Sequence, residues 1–224
     1  MAEPSFGRPV DPTPRPYPQR VPHHGRAAEL VLLDQRHVAD LWYAATGADQ
    51  SFAYLRYGPV ADEAAMSRLV GDLVARDNQI FWAVQRSGRA EGWLSLCDIY
   101  PKDASIEIGS IWFSPALQRT RASTETIFLL MRHAFDDLGY RRLVWRCSAE
   151  NEPSLRAAAR YGFVPEGIWR AAAVVKGHER SVAWHSMLAH EWPPRRAALE
   201  AWLDDSNFDG RGRSLSHLDR GTRP

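Results

Sequence analysis

Between Ser105 and Ala149 the sequence reads strand, basic turn, long helix, strand. Two strands joined in that way run parallel in one sheet, with the helix crossing a face. The first strand, Ser105–Phe113, ends at Ser114-Pro115, since proline cannot donate to a ladder. The helix is predicted to begin near Ser123 or Thr124. Its apolar residues, Ile127, Leu130, Met131, Ala134, Phe135 and Leu138, recur at i, i+3, i+4, i+7, i+8 and i+11. Gly139 is placed to end it as a left-handed cap. Arg142–Ala149 is the returning strand.

The flanking segments favour hairpins. Ala28–Leu33 reads as a strand, and Asp34 caps a helix with Val38, Leu41, Trp42 and Ala45 on its apolar face. A second helix starts near Asp62 with Met66, Leu69, Val70, Leu73 and Val74 in one stripe. Ile80–Gln85 and Gly92–Tyr100 pair about Ser87-Gly88. Later, Pro153 suits the first turn of a short helix, with Asn151 or Glu152 just outside it and Gly162 at its end. Two strands, Ile168–Val175 and Ser181–Leu188, flank Lys176-Gly177-His178. The predicted fold is one mixed α/β domain over residues 27–193, a mostly antiparallel sheet with one parallel pair and helices on both faces. Residues 1–26, rich in Pro, Arg and His, are expected to form an extended arm, ordered only where it packs on the body. Residues 194–224 are expected to be a terminal helix and a polar tail. His23 and His24 are expected to be solvated rather than metal ligands.

Charge and cysteine usage exclude several classes. The net charge of +1 gives no case for nucleic-acid or membrane attraction. No segment has the apolar length of a membrane span, and no signal-peptide core is present, so a cytoplasmic location is expected. Cys97 and Cys147 lie in apolar strand-like runs and are expected to be buried thiols, not a disulfide framework. Nine tryptophans suit a core, a large pocket or a homodimer interface, and the sequence does not divide them.

The turn Gln118-Arg119-Thr120-Arg121-Ala122-Ser123-Thr124 precedes the long helix. Unpaired N–H groups at a helix start carry partial positive charge and favour phosphate. Arg119 and Arg121 add forked donors, and Thr120, Ser123 and Thr124 add hydroxyls. The plain alternative is a hydroxyl-capped helix with two solvated arginines, and the loop alone does not choose. No P-loop lysine motif or G-x-G-x-x-G is present.

Beyond this loop the chain resembles the GNAT superfamily of acyl-CoA-dependent N-acetyltransferases, nearest its Rim-type ribosomal-protein branch, over roughly Ala28–Trp192. The family signature Gln/Arg-x-x-Gly-x-Gly/Ala falls on Gln118–Ser123 and runs on into Thr124-Glu125-Thr126. Glu107-Ile108-Gly109 precedes it. Asn151-Glu152-Pro153-Ser154 and Gly162-Phe163-Val164-Pro165-Glu166-Gly167 follow. Arg121 and Ser123 depart from the small residues usual at their positions. The resemblance implies acetyl-CoA as co-substrate, without a metal. It also implies that the parallel strands splay, so that the backbone of Ile111, Trp112 and Phe113 receives the pantetheine arm.

Transfer from a thioester to an amine needs a base, an oxyanion donor and a donor for the departing thiolate. The tyrosine that serves the last role in many members is Ala158 here. The Rim-like branch implies Ser154 instead, whose plain alternative is a helix-start hydroxyl. Asn151 is expected to cap its helix and contact the cofactor. Glu107 is the expected base, because a carboxylate in an apolar strand is costly unless used or paired. Its alternative is a structural carboxylate, and Asp98 is the second candidate. The expected acceptor is a small-molecule amine or a protein N-terminus, shaped by Trp42, Tyr54, Tyr57, Trp169 and His185. The other reading is a non-catalytic acyl-CoA sensor or interaction module on the same scaffold.

Overall fold

The computed structural model describes residues 6–218. Strands β1 (His23–His24), β2 (Glu29–Leu32), β3 (Gln79–Arg86), β4 (Arg89–Tyr100), β5 (Ser105–Phe113), β6 (Arg142–Ser148), β7 (Val164–Val175) and β8 (His178–Leu188) form one sheet, ordered β1-β2-β3-β4-β5-β6-β8-β7. Every neighbouring pair is antiparallel except β5 and β6. Five α-helices pack on it: α1 (Val38–Ala45), α2 (Glu63–Val74), α3 (Arg121–Arg132), α4 (Glu152–Tyr161) and α5 (Trp192–Leu203).

Alternation along the strands builds two cores. Trp82, Leu94, Leu96, Ile106, Ile108, Leu143 and Trp145 pack against α3, α4 and α5. Phe81, Ala83, Trp93 and Trp112 pack with α1 and α2 on the other face. Both cysteines are buried free thiols.

The parallel seam is short. Ser105, Ile106 and Glu107 pair with Arg142, Leu143 and Val144, and the ladder stops there. β5 continues through Phe113 and β6 through Ser148 with the gap between them open. Two bulges bracket this point. The β4–β5 register slips between Cys97 and Tyr100 and again between Trp93 and Ser95. Asp98 and Ser110 sit in those slips in the left-handed region, at φ +43° and +50°.

α3 starts at Arg121, ahead of the expected Ser123 or Thr124. Thr120 and Ser123 exchange side-chain and backbone hydrogen bonds, a reciprocal cap that sets the start. The helix passes into a π-turn at His133–Asp137 before Gly139, at φ +68°, turns the chain.

The arm packs on the body over most of its described length. Arg15 N donates to Pro101 O, Tyr140 Oη to Pro16 O and Trp82 Nε1 to Val21 O. His23 and His24 pair with β2, and the His23 ring lies 4.6 Å from that of His133, not in solvent as expected. Glu125 accepts from the N–H groups of Arg26, Ala27 and Ala28 at 2.9, 2.6 and 2.9 Å. Residues 1–5 of the expected arm and 219–224 of the expected tail lie outside the described residues. Among the described residues no helix is long and apolar enough to cross a membrane, and no cluster of three metal-ligating side chains occurs.

Candidate active site

The turn before α3 uses most of its hydroxyls on itself. Thr120 Oγ1 donates to Leu117 O at 2.7 Å and accepts from Ser123 N at 3.1 Å. Ser123 Oγ accepts from Thr120 N at 3.1 Å. Thr124 Oγ1 donates to Thr120 O and accepts from Arg160 Nη1. Gln118 Nε2 donates to Phe113 O at 2.9 Å, which ties the turn to the end of β5. Arg119 turns the chain at φ +62°. The donors that the cap itself does not use are the N–H groups of Arg119, Arg121 and Ala122. The Arg121 side chain leaves the turn. Its guanidinium donates to Leu203 O at 2.6 Å and Asp205 Oδ1 at 2.5 Å and lies over the Phe208 ring. The side chain that stands where the family pattern has glycine is thus held by the C-terminal segment.

The β5 edge past Glu107 has no β6 partner. Trp112 turns its indole into the α1–α2 core, where Nε1 donates to Ser51 Oγ at 2.9 Å. Ile111 and Phe113 pack toward the opposite core. The three residues expected at the pantetheine arm therefore present backbone to the gap.

Glu107 lies at the last paired rung of the seam, only 6% exposed. Arg146 of β6 ion-pairs with both Glu107 and Asp98, so the two candidate bases meet on one guanidinium. Burial pushes the Glu107 carboxyl up to about 7, although Arg146 pulls it down. Gly109 makes room for it. A Cβ there would stand 2.8 Å from Glu107 Oε1 and 2.7 Å from Cys97 Sγ, which explains glycine in Glu-Ile-Gly. The Arg146 guanidinium lies 4.7 Å from the Trp184 ring, which packs on Trp169. Those tryptophans line a cavity of about 240 Å³ with Arg142, Glu166 and Gly167.

Across the gap, Asn151 caps α4 by accepting from Ser154 N at 3.2 Å. Ser154 is not the cap. Its Oγ accepts from Trp145 Nε1 at 3.0 Å. An indole N–H only donates, so the serine keeps its own proton for another acceptor. Cys147 is one such neighbour: burial raises its thiol pKa, and the Ser154 hydrogen bond opposes the rise. Ala158 is fully buried at the position of the missing tyrosine, and Tyr161 is core.

Of the aromatic set expected around the acceptor, Tyr54, Tyr57 and Trp169 lie at this cleft. Trp42 packs on the α1–α2 core. Alternation along β8 puts His185 on the face opposite Trp184, with Ala183 and Met187. Sequence reasoning missed Trp145 and Arg146. Both read as ordinary strand residues, and only pairing and proximity give them their partners.

The chain matches the acetyltransferase (GNAT) domain family over residues 29–164. YdaF of Bacillus subtilis (strain 168), provisionally named a ribosomal N-acetyltransferase, is 26% identical over 75% of this chain and 86% of its own. A GCN5-related N-acetyltransferase structure from Brucella melitensis is 42% identical, covering 92% of this chain and 96% of that one, with a TM-score of 0.89. The ribosomal L7/L12 alpha-N-protein acetyltransferase RimL, 21% identical over 73% of this chain and 91% of its own, shares the fold at a TM-score of 0.64.

Proposed function

Because the chain belongs to the GNAT acetyltransferase family, with a curated relative in its Rim-like branch, we propose that it transfers an acetyl group from acetyl-CoA directly to a primary amine of a small molecule or a protein N-terminus. The observation that carries this reading is the β5–β6 gap, with Glu107 at its closed end and the starts of α3 and α4 beyond its open end.

In this mechanism the N–H groups of Arg119, Arg121 and Ala122 hold the pyrophosphate at the start of α3. The pantetheine lies along the open edge of Ile111–Phe113, and a main-chain N–H of β5 receives the oxyanion. The acceptor ammonium gives one proton to Glu107 and attacks the thioester carbonyl carbon through nitrogen. The C–S bond then breaks. The leaving thiolate accepts a hydrogen bond from Ser154, whose other side is fixed by Trp145. The second amine proton ends on the CoA thiol, and Glu107 returns its own to solvent. The amine nitrogen gains the acetyl group and no redox step occurs.

The test is thiol release from acetyl-CoA across a panel of amines, with calorimetric titration of acetyl-CoA alongside. Binding with amine-dependent release is the expected result. Tight binding without release for any amine would favour a non-catalytic acyl-CoA sensor.

A further inference from the structure

The loop from Phe52 to Tyr57 bridges the mouth of the cleft. Tyr57 Oη donates to Ser110 O on β5 at 3.4 Å, and Tyr54 Oη donates to Glu150 O just past β6 at 3.0 Å. From the β7–β8 hairpin, Lys176 Nζ donates to Phe52 O at 2.8 Å and Arg180 Nη1 to Tyr54 O at 3.2 Å. Arg56 stands exposed on the same loop, and its charge opposes that of Arg180. Three cations thus gather at one mouth. Among the described residues no ion pair joins any of the three to a carboxylate. Arg146, deeper in, is already shared by Glu107 and Asp98. Glu150, which also feels Arg180, is turned to the Ser148 hydroxyl at 2.5 Å. Among the described residues Arg180 Nε is buried without a hydrogen-bond partner. A half-buried guanidinium beside a like charge is costly, and a carboxylate placed between the two would gain charge-assisted hydrogen bonds.

We infer that the acceptor carries a carboxylate close to its amine, and that Arg180, with Arg56, receives it. The inference rests on the acetyl-transfer reading above and narrows its acceptor. Two sources supply this chemistry: the α-carboxylate of a free amino acid, or acidic side chains in the first positions of a peptide.

Thiol release from acetyl-CoA is measured with two matched pairs, leucine against leucinamide and the peptide amide Ser-Asp-Glu against Ser-Asn-Gln. In one pair the acidic member should win by about 10-fold or more in kcat/KM, the scale of a charged hydrogen bond, and the winning pair identifies the source. Arg180→Gln should raise KM for the acidic acceptor and draw that ratio toward one, with KM for acetyl-CoA unmoved. Arg56→Gln, at an exposed position, should lower the ratio in part and does so without a buried vacancy. Acetyl-CoA binding by calorimetry is followed in parallel. No binding would take down the acetyl-transfer reading and this one with it. Binding with equal use of both members of each pair, or with a preference that survives both variants, would overturn this inference alone.

Discussion

Glu107 is the residue at which structure and chemistry pull hardest against each other. Burial favours its neutral form and Arg146 favours its charged form, and the balance leaves it near 7. In its proposed role as base it must be ionised, so kcat/KM should rise with pH through about 7. Glu107→Gln keeps the shape but accepts no proton, and should bind acetyl-CoA, lose most activity near neutrality and recover part of it at high pH. A wild-type pH profile in that variant would move the assignment to Asp98 or to solvent. The same shift reads out in folding. The folded pKa lies above the ordinary value of 4.5, so this group's contribution is complete below 4.5 and is lost as pH rises through about 7. Thermal melts of Glu107→Gln should lack that component of the slope. Ser154→Ala should lower kcat by about 10²-fold and leave KM for acetyl-CoA nearly unchanged, since the hydroxyl meets charge that grows only as the thiolate leaves. A melting temperature that falls while turnover holds would instead make the Trp145 bond its whole role.

At the scale of elements, the turn before α3 separates geometry from charge. Arg119 holds a left-handed φ of +62°, which glycine adopts without strain. Arg119→Gly should therefore melt within a degree or two of wild type yet bind acetyl-CoA more weakly; unchanged calorimetric affinity would remove its side chain from the site. Glu125 is the other fixed point on α3. Glu125→Gln turns an amide toward N–H groups that now meet a carboxylate, and should cost about 2 kcal/mol or more. A lower denaturant midpoint with an unchanged m-value would show it. These elements also show what the sequence could disclose. Ser105–Phe113 was legible to the residue because an apolar run met Ser-Pro, and α4 because Asn151 and Pro153 mark a helix start. The start of α3 was misplaced because its cap uses Ser123, where the familiar signal would have an acidic or amide side chain. The two-residue β1 and the π-turn carry no periodicity to read. Arg146 reads in the sequence as an ordinary strand residue. Its two carboxylates come from β4 and β5, brought together by a bulge and a parallel seam that no local pattern encodes.

At the scale of the whole molecule, the sheet is continuous in order but not in bonding. Three residue pairs join β5 to β6, whereas β6 and β8 pair along seven. Amides of residues 108–113 on the open side should exchange with deuterium faster than those of β8, and acetyl-CoA should slow them selectively. Uniform protection across the sheet would argue against a ligand seated in the gap. Bound ligand also stabilises the fold by mass action, by about 2.7 kcal/mol at a hundredfold excess over Kd. On the proposed reading, the sheet opens most easily along this seam when acetyl-CoA is absent, so the ligand's concentration would set how long each copy lasts as well as how fast it turns over.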